Sequence, residues 1–271
     1  DAEVEKLPPE EAAKLAVQKK PDFVALSGMS PFFHLSLEMA KLVKEENPNI
    51  MIGCGGQHVT IMEEKVFDNV FEYLFIGDGE EQWIKFLRAF DGELAFEDVP
   101  GIVYRKDGEI VKNQREVANK DLDIYPFPAY HLLPMHKYHL GTMRGRLPFT
   151  MIQTLRGCPW KCIFCASDQL DTTRIHKRSI PSIVSEIEYV KENYGITHIS
   201  FADDVLTLDK KRTTELCNLL IEKNLKVQNI STFHFLPFYE NSTAEIDFGA
   251  SRSIEKTFND FRILLFFDQK H

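Results

Sequence analysis

Short apolar runs alternate with amphipathic segments through the first third of the chain. The apolar runs Phe23–Leu26, Ile50–Gly53 and Phe71–Ile76 each lead into a glycine-bearing loop. Runs of this length, bounded by turn residues, are typical of buried parallel strands. Between them, apolar positions recur at helical spacing, for example through residues 33–46. The repetition predicts a doubly wound α/β domain, in which ligands bind at the carboxyl edge of the sheet.

Helices are predicted before and after these strands. The first covers residues 8–20, with prolines at its start and lysines at its end, where each residue type is favoured. Further helices are predicted at residues 33–46, at about 61–67 and in the segment that carries Trp83 and Phe90. This domain is expected to occupy residues 1–97.

The pattern changes after residue 97. Two alternating segments, 102–105 and 109–112, flank Lys106-Asp107-Gly108, and this arrangement predicts a β-hairpin. Residues 122–134 are rich in proline and aromatic side chains and are expected to cross between domains without forming a helix. Residues 98–145 are therefore interpreted as a linker with a β-hairpin.

A second α/β pattern begins near residue 146. Strands are predicted at residues 149–154, 198–202 and 226–230, with helices after Ser179 and after Asp209, which is a favourable N-cap. This order fits the first strands of a β/α barrel, whose active site lies at the carboxyl ends of its strands. Too few residues remain for a whole barrel, and the phenylalanine-rich tail after about residue 228 has no clean period. Residues 146–271 are therefore expected to form a partial barrel with a poorly ordered end.

The composition is typical of a globular protein. Of the 271 residues, 44% are hydrophobic and 27% are charged, and the formal net charge is −9. No lysine- or arginine-rich block stands out, which argues against a nucleic-acid partner, and no apolar run is long enough to span a membrane. The five cysteines fit a reducing compartment better than a disulfide framework, so a cytoplasmic protein is expected. Because the chain starts at Asp1, directly in a charged helical pattern, it is expected to be a fragment.

Three cysteines, Cys158, Cys162 and Cys165, lie within eight residues. Their C-x-x-x-C-x-x-C spacing lets three thiolates converge on one metal centre from a single loop. A structural zinc site uses four ligands, and no fourth Cys or His follows at a zinc-finger interval. Three ligands suit a [4Fe–4S] cluster that leaves one iron open for catalysis. The alternative is that these are buried or incidental cysteines, but Pro159 and Lys161 interrupt any core pattern.

The cysteine spacing, the preceding Arg156-Gly157 and the aromatic Phe164 resemble the radical S-adenosylmethionine (radical SAM) family. The resemblance implies that the open iron chelates SAM and that a 5′-deoxyadenosyl radical is generated, which abstracts hydrogen from an unreactive C–H bond. It also implies that SAM is contacted by Phe164 and by Asp203-Asp204, which follow the second barrel strand. A carboxylate there can pair with the amino group of SAM. The alternative for the two aspartates is a surface turn that caps a helix.

Loops of the first domain resemble the cobalamin-binding fold. In that fold a serine loop and a Gly-Gly turn hold the nucleotide tail of the cofactor, and Ser27-Gly28-Met29 and Gly55-Gly56 stand at the matching places. Residues 57–60 and 77–80 match what cobalamin-binding radical SAM proteins carry after the next strands. The implied cobalamin contacts are Ser27, Gly28, Gly55, Gly56, Gln57, His58, Gly77 and Gly79. His58 is interpreted as a wall of the site and not as the cobalt ligand. The alternative is that the Gly-Gly turn merely closes a βα loop.

As a whole the chain resembles a cobalamin-binding-domain-containing radical SAM protein: a Rossmann-like cobalamin domain followed by a partial TIM-type barrel. The resemblance covers about residues 22–227. It implies an enzyme with a [4Fe–4S] cluster, SAM and cobalamin, which transfers a methyl group in many relatives and runs cyclisations or rearrangements in others. A small-molecule substrate and an electron donor such as flavodoxin or ferredoxin are implied too. The alternative is a non-catalytic iron–sulfur or cobalamin-binding module, or an inactive fragment.

The remaining candidate residues are weaker. His131, His136 and His139 lie close in the sequence, but no acidic or cysteine partner sits among them, so they are interpreted as solvated or core histidines. Cys54 and Cys217 stand alone in apolar patterns and are expected in the core.

Overall fold

The computed structural model describes residues 2–116, 121–142, 145–167, 169–170, 174–225 and 228–229. These residues form two compact units. The first comprises residues 1–118 together with 161–171, and the second comprises residues 119–160 together with 172–271, in each case as far as the structure describes them. The tail that the sequence predicts to be poorly ordered lies outside the described residues.

The first unit is built on a five-stranded sheet. Its strands are β1 (Phe23–Ser27), β2 (Met51–Gly55), β3 (Tyr73–Phe75), β4 (Ile102–Lys106) and β5 (Glu109–Lys112). They lie side by side in chain order; β1, β2 and β3 are parallel, whereas β3 with β4 and β4 with β5 pair antiparallel. The helices are α1 (Ala2–Glu5), α2 (Pro9–Gln18), α3 (Phe33–Glu46), α4 (Gln57–Met62) and α5 (Glu80–Phe90).

Apolar side chains cover both faces of this sheet. Leu74 and Val103 belong to one core cluster, whereas their chain neighbours Phe75 and Ile102 belong to another. Such alternation follows from strand geometry, which points successive side chains to opposite faces. The second cluster is aromatic: rings of four residues lie with their centroids 4.9–5.3 Å from that of Phe86, namely Phe23, Tyr73, Phe75 and Trp83.

The predicted hairpin is present as β4 and β5, but it is part of the first sheet. Sequence reasoning places it in a linker, whereas β4 pairs with β3 through the register Tyr73↔Tyr104. The reason is burial, since both Ile102 and Val103 are 0% exposed. A hairpin pattern shows that two segments pair with each other, and it carries no information about a third strand at their outer edge.

The helix predicted at about residues 61–67 begins earlier. Helix α4 starts at Gln57, directly after Gly56, and ends at Met62, where a 3₁₀ turn over Glu63–Val66 follows. The glycine turn leads straight into the helix, so the polar residues Gln57 and His58 occupy its first turn. A periodicity of apolar residues does not detect such a polar start.

The second unit contains a four-stranded sheet in the order β11-β10-β7-β6 and a separate two-stranded ladder, β8 with β9. The strands are β6 (His139–Thr142), β7 (Gly145–Ile152), β8 (Leu155–Arg156), β9 (His176–Lys177), β10 (His198–Phe201) and β11 (Gln228–Asn229). The helices are α6 (Ile180–Tyr194) and α7 (Lys210–Glu222). Strands β7, β10 and β11 are parallel, in the order that the sequence predicts for a partial barrel.

The core of the second unit lies between this sheet and α6, with α7 beside them. It includes Ile152, Ile187, Ile199 and Leu216. Tyr130, from the proline- and aromatic-rich segment, is 3% exposed in the same core, so that segment packs into the second unit. The residues predicted as a linker are thus divided: the hairpin joins the first sheet, and the segment around Tyr130 joins the second core.

No helix in the described part of the chain is long and apolar enough to cross a membrane.

Gly53 provides a test of the aromatic packing. A Cβ added there would lie 2.6 Å from Cζ of Phe23 and 2.6 Å from Cε2 of Phe75. Because these rings are held by their aromatic neighbours, Gly53→Ala is expected to lower the free energy of unfolding by about 1–3 kcal/mol. The measurement is the urea midpoint from Trp83 fluorescence, in a Trp160→Phe background because the chain has two tryptophans.

Gly79→Ala is the matched control. No heavy atom lies within 4 Å of a Cβ at that position. The free energy of unfolding should therefore stay within about 0.5 kcal/mol of the parent value. Equal midpoints for the Gly53 and Gly79 variants would contradict the packing described here.

Candidate functional site

The loops that the sequence assigns to cobalamin lie at one edge of the first sheet. Ser27 ends β1, Gly55 ends β2, and Gly77 and Gly79 follow β3. Because these three strands are parallel, their carboxyl ends meet at the same edge, where open α/β sheets bind ligands. The structure therefore brings the predicted cobalamin residues to one side of the unit.

Hydrogen bonds join the loop after β1 to the loop after β2. The N–H of Gly28 donates to the carbonyl oxygen of Gly55 at 3.0 Å, and the N–H of His58 donates to the carbonyl oxygen of Gly28 at 3.1 Å. The His58 ring forms a hydrogen bond between its Nδ1 and Oγ of Ser30 at 3.0 Å and packs on Phe33 with centroids 4.4 Å apart. His58 thus ties the two loops together, and its role as a wall of a cofactor site stays a prediction.

Gly56 is required by the protein itself. Its φ is +93°, in a region that favours glycine, and a Cβ would lie 2.7 Å from Oγ of Ser27 and 3.0 Å from the carbonyl oxygen of Gly28. Gly28 is also tight, with a Cβ position 2.8 Å from the Phe33 ring. The close approach of the two loops therefore explains these glycines without a ligand, as in the alternative interpretation of the Gly-Gly turn.

The loop after β3 has a different character. The N–H of Gly77 donates to Oγ1 of Thr60 at 3.0 Å, and Arg115 donates to the carbonyl oxygen of Thr60 at 2.7 Å. Gly79 is exposed, and no heavy atom lies near its Cβ position. Gln57, at the start of α4, is exposed as well. A side chain added at Gly79 would therefore not clash with the protein, but it would clash with a ligand bound beside this loop.

Arg115 lies at this edge and was missed by sequence reasoning. It is 55 residues from Thr60, its partner in this hydrogen bond. No local motif marks such pairs, because the fold alone brings them together.

The cysteine loop follows β7 and β8. Cys158 and Cys162 are half-buried, and Cys165 is exposed. Residues 161–171 group with the first unit, whereas Cys158 groups with the second. The N–H of Cys165 donates to the carbonyl oxygen of Cys162 at 3.0 Å, which forms a turn between these two ligand candidates.

Three cysteine thiolates are a suitable donor set for an iron–sulfur cluster. Within the described ranges, the structure gathers no group of three His, Cys, Asp or Glu side chains that could hold a metal ion. Ligand ordering and metal binding are coupled. The [4Fe–4S] site therefore stays a prediction from the cysteine spacing.

Of the two lone cysteines predicted in the core, Cys54 lies there, whereas Cys217 is only half-buried. Cys54 is fully buried, and burial raises the pKa of its thiol to about 12, which disfavours the thiolate that a metal needs. Burial also raises the pKa of the half-buried Cys217. His131, His136 and His139 are exposed, as expected for solvated histidines.

The two predicted SAM aspartates have different surroundings. Both carboxylate oxygens of Asp203 accept hydrogen bonds: Oδ1 from the N–H groups of Thr154 at 2.6 Å and Leu155 at 3.0 Å, and Oδ2 from the Thr154 hydroxyl. Burial raises the pKa of Asp203, and these hydrogen bonds and the charge of Arg212 act in the opposite direction. Asp204 is exposed, as is Phe164, whose side chain has a relative exposure of 79%. The contacts of these three residues with SAM stay a prediction.

Known proteins support the class of protein that these sites suggest. Residues 1–84 match the B12-binding family, described as the B12 binding domain. The chain is 26% identical over 244 residues to an uncharacterized methyltransferase, PH0819, from Pyrococcus horikoshii, covering 89% of this chain and 52% of that protein. It is 29% identical over 215 residues to the anaerobic magnesium-protoporphyrin IX monomethyl ester cyclase of Rubrivivax gelatinosus, covering 77% of this chain and 38% of that protein.

A solved structure shows the same fold. The cobalamin-dependent S-adenosylmethionine radical enzyme OxsB, with aqua-cobalamin and S-adenosylmethionine bound, matches with a TM-score of 0.67 at 21% identity, over 82% of this chain and 32% of that one. The predicted fold class, a cobalamin-binding α/β domain followed by a partial radical SAM barrel, is confirmed. The domain match and the relatives together support a cobalamin-binding radical SAM protein, so the resemblance drawn from the motifs is confirmed too. The chain spans about half the length of the first of these relatives and less of the others.

Gly79→Leu tests whether a ligand occupies the carboxyl edge of the first sheet. The open space around Gly79 lets the protein accept the side chain, whereas a cobalamin lying there would collide with it. We expect hydroxocobalamin affinity, measured by absorbance titration, to fall by at least about tenfold, or about 1.4 kcal/mol, while the melting temperature stays the same.

Asp91→Leu is the matched control, because it adds the same side chain at the opposite end of α5. It should leave the affinity for hydroxocobalamin unchanged. Equal affinities for the parent and the Gly79 variant would remove Gly79 from the site. Gly56→Ala is unsuitable for this purpose, because its strain would lower stability whether or not cobalamin binds.

Proposed function

We propose that the chain is the cobalamin-binding and cluster-bearing part of a radical SAM enzyme that activates a C–H bond of a small molecule. The observation that carries the proposal is the Cys158, Cys162 and Cys165 spacing in a loop after a parallel strand, in a chain whose first 84 residues match the B12 binding domain. When bound, the cluster and SAM supply the radical chemistry; the protein positions and shields it. The names of the relatives include methyltransferases and cyclases, so the proposed reaction is C–H activation, with methyl transfer as one outcome.

The roles of individual residues follow from their surroundings. Cys158, Cys162 and Cys165 would hold three irons of the cluster. Phe164, directly before Cys165, and Asp204, after β10, are both exposed, and we assign them to SAM. Cobalamin would lie along the carboxyl edge of the first sheet, where Ser27 and Gln57 are exposed polar groups, His58 forms a wall and Gly79 leaves space.

The cellular setting is part of the proposal. A [4Fe–4S] cluster that is reduced by one electron requires a donor, and a flavodoxin or ferredoxin would supply it. None of the five cysteines, all of which lie in the described part of the chain, forms a disulfide, which fits a reducing compartment such as the cytoplasm. The boundaries predicted from the sequence are residues 1–97, 98–145 and 146–271; because β4 and β5 belong to the first sheet, we propose that the cobalamin-binding domain extends through the hairpin.

A non-catalytic cluster- or cobalamin-binding module is the second candidate. The observation that favours it is the family match over residues 1–84, which supports cobalamin binding and says nothing about catalysis. Reductive cleavage of SAM to 5′-deoxyadenosine by the reconstituted chain supports the enzyme. Cluster binding without cleavage supports the module.

Replacing Cys158, Cys162 or Cys165 by Ala tests the cluster. Each change removes one of only three protein ligands, so iron content after anaerobic reconstitution and the EPR signal of the reduced cluster should both be lost. Cys217→Ala, at a cysteine on α7, is the control and should keep both signals. An intact [4Fe–4S] signal in the Cys162→Ala protein would exclude the assignment.

A further inference from the structure

Thr154 stands where the chain leaves the four-stranded sheet and enters the cysteine loop. It lies two residues after the end of β7 and four residues before Cys158. Its side chain and backbone are 0% exposed, and Leu155 beside it is 1% exposed. A buried polar residue at a strand end requires partners for every donor and acceptor.

Two residues from other elements supply those partners. Asp203, after β10, accepts from the N–H and the hydroxyl of Thr154 and from the N–H of Leu155. Arg212, in the first turn of α7, donates from Nη1 to Oγ1 of Thr154 at 3.1 Å and from Nη2 to its carbonyl oxygen at 2.9 Å. Each polar atom of Thr154 is therefore bonded to Asp203 or Arg212.

A second arginine secures the neighbouring backbone. The N–H of Arg178 donates to the carbonyl oxygen of Thr154 at 3.0 Å, and its Nη1 donates to the carbonyl oxygen of Gln153 at 3.1 Å. The Arg178 guanidinium also pairs with Glu186, which is 1% exposed. The junction is thus held by charged groups with little access to water, where such hydrogen bonds are strong and their loss is costly.

We propose that Asp203 and Arg212 are positioning residues, which act through Thr154 to set the path of the chain into the cysteine loop. Thr154 and Leu155 donate three hydrogen bonds to the Asp203 carboxylate, which has roughly four acceptor positions. Asp203 therefore stabilises the junction. The contact with SAM is assigned to Asp204, which is exposed. The inference rests on the proposed function for the role of the loop, but the junction itself does not depend on any cofactor.

The first test is hydrogen exchange of the cluster-free protein, read by mass spectrometry on peptides that cover residues 154–158. Thr154→Val keeps the shape and removes the hydroxyl, and Asp203→Asn keeps the shape and removes the charge. Each should raise the exchange rate of this peptide by about tenfold, a typical effect of one lost buried hydrogen bond. Thr154→Ser keeps the hydroxyl, so the exchange rate of this peptide should stay within about threefold of the parental rate.

Two internal comparisons separate local positioning from a general loss of stability. Peptides from the C-terminal half of α6, residues 187–194, which lie beyond Glu186, should exchange at the parental rate in every variant. The double variant Thr154→Val with Asp203→Asn should change little beyond either single variant, because both remove parts of one network. Equal acceleration in α6, or full additivity of the two changes, would overturn the proposal.

The second test uses the reconstituted protein. The rate of iron loss to a chelator should be higher than in the parent for Thr154→Val and Asp203→Asn. It should equal the parental rate for Thr154→Ser and Asp204→Asn. The affinity for SAM should fall in Asp204→Asn. If Asp203→Asn weakens only SAM binding and leaves exchange and iron loss unchanged, Asp203 is a SAM ligand and the proposal is wrong. If the parent takes up no iron, the proposed function fails, and the exchange experiment still decides the role of Asp203 and Arg212.

Discussion

A buried hydrogen-bond network around Thr154 holds together the strand ends and the helix of the second unit from which the cysteine loop departs. A polar residue without access to water must have each donor and acceptor satisfied, and Thr154 finds its partners on two elements, Asp203 after β10 and Arg212 in α7. The network therefore joins the end of β7 to the neighbouring strand and to a helix at one point. Since the cysteine loop starts there, the geometry of the candidate cluster site is tied to the packing of the sheet.

In the first unit, the loops at the carboxyl edge of the sheet are held by close packing and by backbone hydrogen bonds. The loops after β1 and β2 approach so closely that Gly56 has no room for a Cβ, and backbone groups of Gly28, Gly55 and His58 bond to one another across the gap. The edge of the sheet is thereby preorganised by the protein alone. A ligand that binds there meets loops that are already held, which reduces the ordering cost of binding.

Most of the fold could be predicted from the sequence because local patterns determine it. Apolar runs marked β1, β2 and β10, and capping residues marked α6 and α7, where Ser179 and Asp209 accept from the helix as expected. Pairings between distant segments could not be predicted. The pairing of the hairpin with β3, the hydrogen bond from the Tyr130 hydroxyl to Glu186 and the Arg212 contacts with Thr154 join residues 27 to 58 positions apart along the chain. Sequence reasoning found Asp203 from its position after a strand, but only burial and hydrogen bonds show what its carboxylate contacts.

A motif match therefore needs to be weighed by what already surrounds each residue. Gly56 and Asp203 are both predicted to contact a cofactor, yet the loop of Ser27 and Gly28 leaves no room for a Cβ at Gly56, and the Asp203 carboxylate accepts hydrogen bonds from Thr154 and Leu155. Gly79, Asp204 and Phe164 are exposed instead, and the Phe164 ring would gain from being covered by an apolar ligand surface. In the proposed site, the residues that complete the framework and those that would contact a cofactor are thus different members of the same motifs, and they differ in exposure.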